Sequence, residues 1–307
     1  MRVFALVAAA ILFVAPAFAE TEKRIALSFD DAPRGDGFMF SGEERTDALI
    51  AALEAADVEQ AAMFVTTRQI DGEIAFERII KYARAGHVIA NHSHSHPWLH
   101  RTRTDDYIAD IDRAEQALND FPGRRPWFRF PFLDEGRTVE KRDTVRAALA
   151  DRGLMNGYVT VDTFDWHMED ITRRALRDGG CFDREKAGAL YVEMFVAAAE
   201  HFHALSLAAL DRAPAHMMLL HENDYAALFV GDLVDGLRKA GWEIISADEA
   251  YTDPLAQTEP QTLYANDGRV ASLVFEAGVP RDRIDHASSD RDAINARFAD
   301  ADVFVCE

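Results

Sequence analysis

The 307-residue chain has little cysteine, and positive charge is scarce beside negative charge. Its two cysteines, Cys181 and Cys306, are too few for a zinc site built from thiolates, although an oxidising compartment would permit one disulfide between them. Lysine and arginine number 33 against 53 acidic residues, so the net charge is −20. Nonspecific nucleic-acid binding needs clustered cations, and anionic lipid would repel the chain, so neither partner is expected.

Long apolar runs are also missing after residue 19, as are internal repeats and linkers rich in proline, glycine or serine. These absences exclude a solenoid and give no sign of a second domain. Segment 1–19 differs: Arg2 is its only charge, residues 3–14 are almost wholly apolar, and it ends in Ala-Phe-Ala. This pattern predicts a secretory signal peptide, an exported (periplasmic or extracellular) protein and no stable membrane insertion after cleavage. A short membrane anchor is the alternative.

From residue 24 onward, strand-like runs alternate with helix-like ones, which predicts parallel βαβ units in a barrel or a doubly wound sheet. The predicted strands are 24–29, 60–67, 87–91, 127–132, 157–161, 216–220 and 242–246. The predicted helices are 43–58, 73–85, 104–121, 139–152, 184–210 and 226–240. We therefore expect one domain over 20–251 with a helical insertion at about 171–214. A C-terminal extension, 252–307, should pack on the same domain and contain a helix near 290–298.

Two adjacent carboxylates, Asp30 and Asp31, end the first predicted strand. Active sites of parallel α/β proteins lie at the carboxyl ends of the strands, where the following loops converge. Neighbouring side chains there point in different directions, so one carboxylate could bind a cation while the other handles a proton. A surface turn before Pro33 is the simpler alternative.

Histidines are concentrated after the third predicted strand, where four of the 11 lie between positions 87 and 96. His92 and His96 are four residues apart, which would place both rings on one side of a helical turn, with His94 on another side as a cleft wall. Two imidazoles with Asp31 as a third ligand predict a site for one divalent metal, zinc first and cobalt or nickel next. Solvated histidines in a polar loop are the alternative.

Three later strand ends carry further polar groups, and each has a structural explanation when taken singly. They are Arg129-Phe130-Pro131-Phe132, Asp162-Thr163-Phe164-Asp165-Trp166 and Leu219-Leu220-His221-Glu222-Asn223-Asp224. With the two earlier motifs, they make a series that resembles the NodB-type polysaccharide deacetylases (carbohydrate esterase family 4). The stretch from Gly86 to Pro97 is its most specific part. The resemblance implies a distorted (β/α)7 barrel and covers about two-thirds of the chain, without the insertion and the extension.

The resemblance also implies a ligand set and a base. Asp31, His92 and His96 match the residues that bind one divalent metal, usually zinc, in this family. Asp30 matches the general base, which takes a proton from metal-bound water as that water attacks an acetamide carbonyl. Arg129 matches the arginine that orients the base.

The remaining matches concern the leaving group and the acetyl pocket. His221 matches the general acid that protonates the leaving amine, and Asp165 matches the carboxylate that orients it. The backbone N–H of Phe132 matches an oxyanion donor. Trp166 and Leu219 match the walls of the pocket for the acetyl methyl group.

Two departures from the family pattern stand out. Phe132 replaces a common tyrosine, which leaves a backbone donor intact, and His221 is followed by Glu222 and Asn223 instead of the commoner aspartate. We expect a metal-dependent hydrolase that removes acetyl groups, N-acetyl in particular, from an acetylated glycan. Peptidoglycan, chitin oligomers, other exopolysaccharides and acetylated xylan all stay open as substrates. A non-catalytic relative that binds metal and glycan, an O-acetyl esterase and a phosphoesterase are the alternatives.

Overall fold

A parallel sheet organises the part of the chain that the computed structural model describes, residues 22–264 and 267–305. The strands are β1 (Arg24–Ala32), β2 (Ala62–Val65), β3 (Val88–Asn91), β4 (Arg124–Phe128), β5 (Met155–Asn156), β6 (Ala215–His221) and β7 (Glu243–Ile244). Their order is β5-β4-β3-β2-β1-β6, and β7 pairs with the first residues of β1. The interior of β1 is buried on both faces, as expected for the central strand of a parallel sheet.

The strand order decides between the two architectures that the sequence left open. A doubly wound sheet reverses its strand order at a switch point, whereas here β1 lies between β2 and β6, as curling toward closure requires. After β5, Val161 forms an isolated parallel bridge with Met218 of β6, which draws the two ends of the sheet together. The predicted α/β class, a distorted barrel with extra helices, is confirmed as a curled parallel half-barrel.

Helices cover the outside of this sheet. They are α1 (Gly42–Ala55), α2 (Glu73–Arg84), α3 (Thr104–Leu118), α4 (Val139–Asp151), α5 (Asp165–Arg177), α6 (Arg184–Leu210), α7 (Asp224–Lys239), α8 (Ala247–Ala250), α9 (Gly268–Glu276) and α10 (Arg291–Asp300). The predicted helix 184–210 coincides with α6. Helix α9 is not among the predicted helices. The helical insertion was expected to begin at 171, six residues after α5 begins, because the polar motif at 162–166 was interpreted only as the end of a strand.

Two predicted strands are wrong in their bounds. The strand expected at 127–132 ends at Phe128 because Pro131 cannot donate to a ladder and Phe132 has a left-handed backbone, with φ 60°. The strand expected at 157–161 is replaced by β5 and a bend at Gly157, where the Tyr158 N–H donates to the Asn156 carbonyl at 2.8 Å. A Cβ on Gly157 would lie 2.5 Å from the Phe64 ring, so only glycine fits this bend.

The C-terminal extension lies against the barrel as far as it is described. Helix α9 contacts α6, and α10 contacts α5. The Cys181 N–H donates to the Phe304 carbonyl at 3.4 Å, but Cys306 lies outside the described residues, so the Cys181–Cys306 disulfide stays a prediction. The predicted signal peptide, 1–19, also lies outside them. Among the helices that the structure describes, none combines the length and apolar character that a bilayer span requires.

Candidate active site

The two carboxylates at the end of β1 face different partners. Asp30 continues the strand, and its side chain is 4% exposed. Asp31 has a left-handed backbone with φ 68°, at a register shift in the β1–β2 ladder between Asp30 and Ala32. Aspartate tolerates this conformation better than most side chains do. The change of backbone conformation turns the Asp31 carboxylate away from the interior and toward the segment that follows β3.

Asp31 meets two imidazoles from the 92–96 segment. Its Oδ1 lies 3.3 Å from His96 Nε2 and 3.8 Å from His92 Nε2, and one ligand atom from each residue falls within a group 4.8 Å across. The buried His92 ring donates from Nδ1 to the Arg129 carbonyl at 3.0 Å, which leaves the lone pair on Nε2 directed at the group. Two imidazole nitrogens and a carboxylate oxygen fit a divalent cation.

The electrostatics of this group favour its metal-binding protonation states. Burial alone would raise the pKa of Asp31, but His96, His221 and Arg34 together hold it well below its usual value. Burial lowers the pKa of His96 to about 4. An ionised carboxylate and a neutral imidazole are the forms that ligate a metal, so the group needs no proton release at neutral pH before it binds one.

The backbone that carries the histidines is not the helical turn expected from their spacing. Ser93 and His96 have left-handed φ values of 67° and 57°, and residues 92–98 form an irregular loop. Pro97 disfavours the right-handed helical region for the residue before it, which explains the departure at His96. His94 does not line the cleft as expected, because its ring bonds to the Thr67 hydroxyl at 3.0 Å.

A buried arginine holds Asp30. Arg129 Nη1 donates to Asp30 Oδ1 at 2.6 Å and to the Ser28 hydroxyl at 2.8 Å. Its Nε donates to the Gly157 carbonyl at 2.7 Å, and its Nη2 donates to the Tyr251 hydroxyl at 3.0 Å. The other oxygen of Asp30, Oδ2, lies 3.5 Å from His92 Nε2, beside the candidate metal site. One oxygen is thus fixed by a cation, while the second faces the space where a metal and its ligands would lie.

Across the cleft, His221 is oriented by Asp165. Asp165 is the first residue of α5 and is fully buried, and its Oδ1 lies 2.6 Å from His221 Nδ1. Its Oδ2 accepts from the His221 backbone N–H at 2.8 Å and from Asn223 Nδ2 at 3.0 Å. Burial acts to lower the pKa of His221, but the carboxylates of Asp165, Asp31 and Asp30 together outweigh it, and the net shift is upward. A cationic ring with its Nε2 free is the form that can donate a proton.

Of the two unusual residues after His221, Asn223 bonds to Asp165, as described above, and Glu222 belongs to a buried charge cluster. This cluster is formed by Arg45, Arg78, Glu222 and Asp224. Arg78 Nη2 donates to both oxygens of Glu222, at 2.8 and 3.0 Å, and Arg45 Nη1 donates to Asp224 Oδ1 at 3.1 Å. All four side chains are nearly or fully buried. Glu222 and Asp224 therefore support the site without facing it.

The buried charge cluster fixes the 33–41 loop between β1 and α1. The Arg34 N–H donates to Glu222 at 2.7 Å, and the Met39 N–H donates to Asp224 at 2.7 Å. Arg45 in turn donates to the Arg34 and Gly35 carbonyls. A Cβ on Gly37 would lie 2.0 Å from the Asp224 carboxylate, so the backbone passes at a distance that only glycine allows.

The candidate metal ligands, Asp30 and His221 open into one cleft of about 520 Å³, a size suited to a sugar ring and its substituent. The lining residues are Asp30, Asp31, Arg34, His92, His96, Trp98, Phe132, Leu133, Asp162, Phe164, Trp166, Asp170, Leu219, His221 and Arg291. Every predicted site residue except the buried Arg129 and Asp165 is among them, and those two bond directly to lining residues. The Phe132 ring stacks on Trp98 with centroids 3.7 Å apart.

Because the insertion at 171–214 lies between the fourth and fifth motifs, it would be expected to shape the cleft near His221, but it does not. No lining residue falls within 171–214, and α6 packs against α7 and α9 on the outside of the barrel. The wall beside Trp166 is completed instead by Arg291 of the extension.

Sequence reasoning missed Tyr251, which bonds to Arg129, and Trp98, which stacks on Phe132. Trp98 could have been identified from the sequence, because it follows His96, the second predicted histidine ligand, by two residues. Tyr251 could not, because only the fold brings it to Arg129.

Comparison with known proteins agrees with this geometry. Residues 19–154 match the family model "Polysaccharide deacetylase". A peptidoglycan-N-acetylglucosamine deacetylase from Bacillus cereus is 32% identical over 144 residues, which are 46% of this chain and 46% of that protein. The match therefore spans less than half the length of this curated relative.

Solved structures share the fold at low identity. The chitin deacetylase from the fungal pathogen Colletotrichum lindemuthianum aligns with a TM-score of 0.51 and 19% identity over 75% of this chain and 88% of its own. PdaA, a family 4 carbohydrate esterase from Bacillus subtilis, aligns with a TM-score of 0.50 and 19% identity over 75% and 81%. At such identities the likeness concerns architecture alone.

Proposed function

We propose that the chain, a member of the polysaccharide deacetylase family by its match over residues 19–154, hydrolyses acetyl groups, N-acetyl groups in particular, on a polysaccharide or oligosaccharide. The observation that carries the proposal is the convergence of three polar units on one cleft. These are the Asp31–His92–His96 group, the Asp30–Arg129 pair and the His221–Asp165 pair. The first two lie within the segment that the family model matches, and the third lies beyond it.

Asp31, His92 and His96 would hold one divalent metal, with zinc preferred because two of the three ligands are imidazoles and cobalt or nickel acceptable on the same ground. A cation bound there supplies Lewis acidity, which makes water more acidic and polarises an acetyl carbonyl. The chain supplies the two proton-transfer groups on either side.

Asp30 is the proposed general base. Its Oδ1 is held by Arg129 at 2.6 Å, so the carboxylate is fixed with Oδ2 toward the cleft. A carboxylate held in this way can accept a proton from a water molecule in the cleft. Arg129 itself is wholly buried and acts by positioning the base.

His221 is the proposed general acid. The Asp165 carboxylate keeps the ring cationic and fixes its orientation through Nδ1, so that Nε2 can donate a proton to the departing amine. Leu219 and Trp166 would flank the acetyl methyl group, and the Phe132 N–H at the rim would stabilise the developing oxyanion.

The test is acetate release from a panel of N-acetylated and O-acetylated glycans by the zinc-loaded protein. We expect release from an N-acetylated glycan, and Asp30→Asn should lose at least a hundredfold in kcat while retaining the metal. His92→Ala should lose the metal, whereas His94→Ala, from the same loop but outside the cleft, should keep both metal and activity.

Three outcomes would contradict parts of the proposal. Metal loss in Asp30→Asn with retention in His92→Ala would invert the assigned roles. Release from O-acetylated glycans alone would make the protein an esterase. Metal and glycan binding without release from any substrate would make it a binding module.

A further inference from the structure

Arg291, from the C-terminal extension, lies in the wall of the catalytic cleft. It is the first residue of α10, and its guanidinium lies over the Trp166 ring with Cζ 4.8 Å from the ring centroid. The side chain is exposed. Trp166 is half-buried and adjoins Asp165, the partner of His221. The extension therefore contributes a cation to the side of the cleft that holds the proposed general acid.

The extension is bonded to this wall at several points, so the position of Arg291 is well defined. The Phe164 N–H donates to the Ser288 carbonyl at 2.8 Å, and the Ser288 hydroxyl donates to the Asp162 carbonyl at 3.3 Å. His167 Nε2 lies 3.0 Å from Asn295 Oδ1, one helical turn beyond Arg291. These bonds fix both sides of Arg291 against the segment that carries Trp166.

Within the described residues, the side chain of Arg291 makes no hydrogen bond or ion pair, in contrast to Asp30, Arg34 and Asp170 of the same cleft. Asp30 pairs with Arg129 at 2.6 Å, Arg34 faces Asp31 at 3.5 Å, and Asp170 faces Arg174 at 3.8 Å. In a chain with 53 acidic residues, an arginine left without a carboxylate inside a cleft is notable.

Helix stability does not explain Arg291. A cation at a helix N-terminus opposes the helix dipole, so this position is electrostatically unfavourable for arginine. Two other arginines of the extension have carboxylate partners, since Arg281 lies 3.5 Å from Asp285 and Arg297 bonds to Glu193 at 2.5 Å. The buried Arg269 bonds to the Leu255 and Ala256 carbonyls. Arg291 instead combines a guanidinium with an aromatic face, the pair of surfaces that recognises a sugar bearing an anionic group.

We propose that Arg291 and Trp166 form a subsite for a carboxylate on the substrate, and that the preferred glycan is N-acetylated and carries carboxylate groups on its sugars. This inference rests on the proposed deacetylase function and narrows its substrate class. The planar guanidinium can bind a carboxylate through two parallel hydrogen bonds, while the indole ring packs against the sugar. Local attraction of this kind is needed because the chain as a whole, at −20, repels an acidic glycan.

The test compares one N-acetylated, carboxylate-bearing oligosaccharide with the same oligosaccharide after its carboxylates have been converted to neutral amides. For the wild type, we expect a lower KM for the carboxylate form. Arg291→Ala should raise that KM about tenfold, with kcat and the KM for the amide form within twofold of wild type. Arg291→Lys should recover part of the loss, and Arg283→Ala, an equal change of charge elsewhere on the extension, should change neither substrate.

Equal effects of Arg291→Ala on both substrates would overturn the inference, because Arg291 would then act on the shape of the cleft. A wild type that prefers the amide form would also overturn it, while leaving the deacetylase proposal intact. If neither form releases acetate, the deacetylase proposal fails separately. In that case, calorimetry would measure the affinity of the protein for the carboxylate form and so test the subsite alone. We expect Arg291→Ala to bind this form about tenfold more weakly than wild type, and an unchanged affinity would show that the inference is wrong.

Discussion

The two ends of β6 each carry a histidine, and the pKa values of the two rings are shifted in opposite directions. His221, at the carboxyl end, has Asp165 at 2.6 Å and a raised pKa. His216, near the amino end, has the Thr160 hydroxyl at 3.0 Å from Nδ1, while its Nε2 has no partner in the part of the chain that the structure describes. Burial lowers the pKa of His216 to about 3.

Burial acts to lower the pKa of both rings, so it does not explain why the two shifts have opposite directions. The two histidines are five residues apart on a strand, which puts them on opposite faces of the sheet. His221 faces the cleft, where α5 supplies a carboxylate. His216 faces the outer layer, beside His203 of α6 and Trp242, with ring centroids 5.5 and 5.4 Å away. Carboxylates near His221 outweigh the effect of burial on its pKa, whereas burial, His203 and Arg212 all lower the pKa of His216.

The largest difference between the two ends of β6 should appear in kcat when His221 is replaced. We expect His221→Ala to lower kcat for acetate release by about 10³-fold, because the leaving amine loses its proton donor. Metal content, measured by elemental analysis, and the melting temperature should stay near wild type. His216→Leu serves as the matched change on the same strand and should keep kcat within twofold. A His221→Ala enzyme within tenfold of wild type would remove His221 from the chemistry.

Removing the carboxylate partner tests what makes the two ends different. The raised pKa of His221 keeps the ring protonated to higher pH, so Asp165→Asn should lower that pKa and move the basic limb of the kcat profile toward lower pH. We expect a shift of about one pH unit and a loss of roughly 10- to 100-fold in kcat at pH 8. The check is a full pH–rate profile, and an unshifted basic limb would show that Asp165 does not set the pKa.

At the amino end of β6, replacing His216 should change the pH dependence of the unfolding free energy and leave the activity unchanged. His216 stays neutral in the folded chain down to about pH 3, whereas an unfolded histidine takes up a proton below about 6.5. Its contribution is therefore complete above pH 6.5 and is lost as the pH falls from there toward 3. His216→Leu should shrink the drop in unfolding free energy between pH 8 and pH 5 by about 2 kcal/mol.

Urea unfolding at the two pH values measures this change. His94→Leu, at a half-buried histidine outside both groups, is the control and should leave the drop unaltered. A drop in His216→Leu as large as in wild type would mean that protonation of His216 is not coupled to unfolding.

The smallest effect is expected from the hydroxyl that supports Arg129. Tyr251 donates to the Tyr158 carbonyl at 2.9 Å and accepts from Arg129 at 3.0 Å. Tyr251→Phe should cost about 1 kcal/mol in unfolding free energy and only a few-fold in kcat, because Arg129 keeps Asp30, Ser28 and the Gly157 carbonyl. A loss of kcat as large as that of Asp165→Asn would place Tyr251 in the chemistry itself.

The strands, the helices and the polar residues at strand ends could be predicted, because each depends on residues that are close together in the sequence. The alternation of apolar runs gave the parallel units, and the polar strand ends located the cleft residues, Asp30, His92 and His221 among them. The four-residue spacing of His92 and His96 misled because Pro97 and two left-handed residues replace the expected helical turn.

What could not be predicted depends on contacts between distant segments. Glu222 meets Arg78 across 144 positions, and Arg129 meets Tyr251 across 122. Hydrophobic periodicity does not predict such polar pairs. A charged residue that is buried in an ion pair and one that lies on the surface look the same in the sequence. For the same reason Arg291, in a polar and acidic tail, gave no hint that it borders the cleft.

The buried charge cluster has a consequence for motion on the slow timescale of amide hydrogen exchange. The Arg34, Met39 and Phe40 amides in the 33–41 loop are bonded to Glu222 and Asp224, which belong to the β6–α7 junction. Releasing any of these amides removes a hydrogen-bond donor from a carboxylate that stays buried and has no water to replace it. Local opening of this loop is therefore costly. The loop should therefore exchange with the protection of a core strand, and substrate would have to enter a cleft whose rim on this side is already rigid.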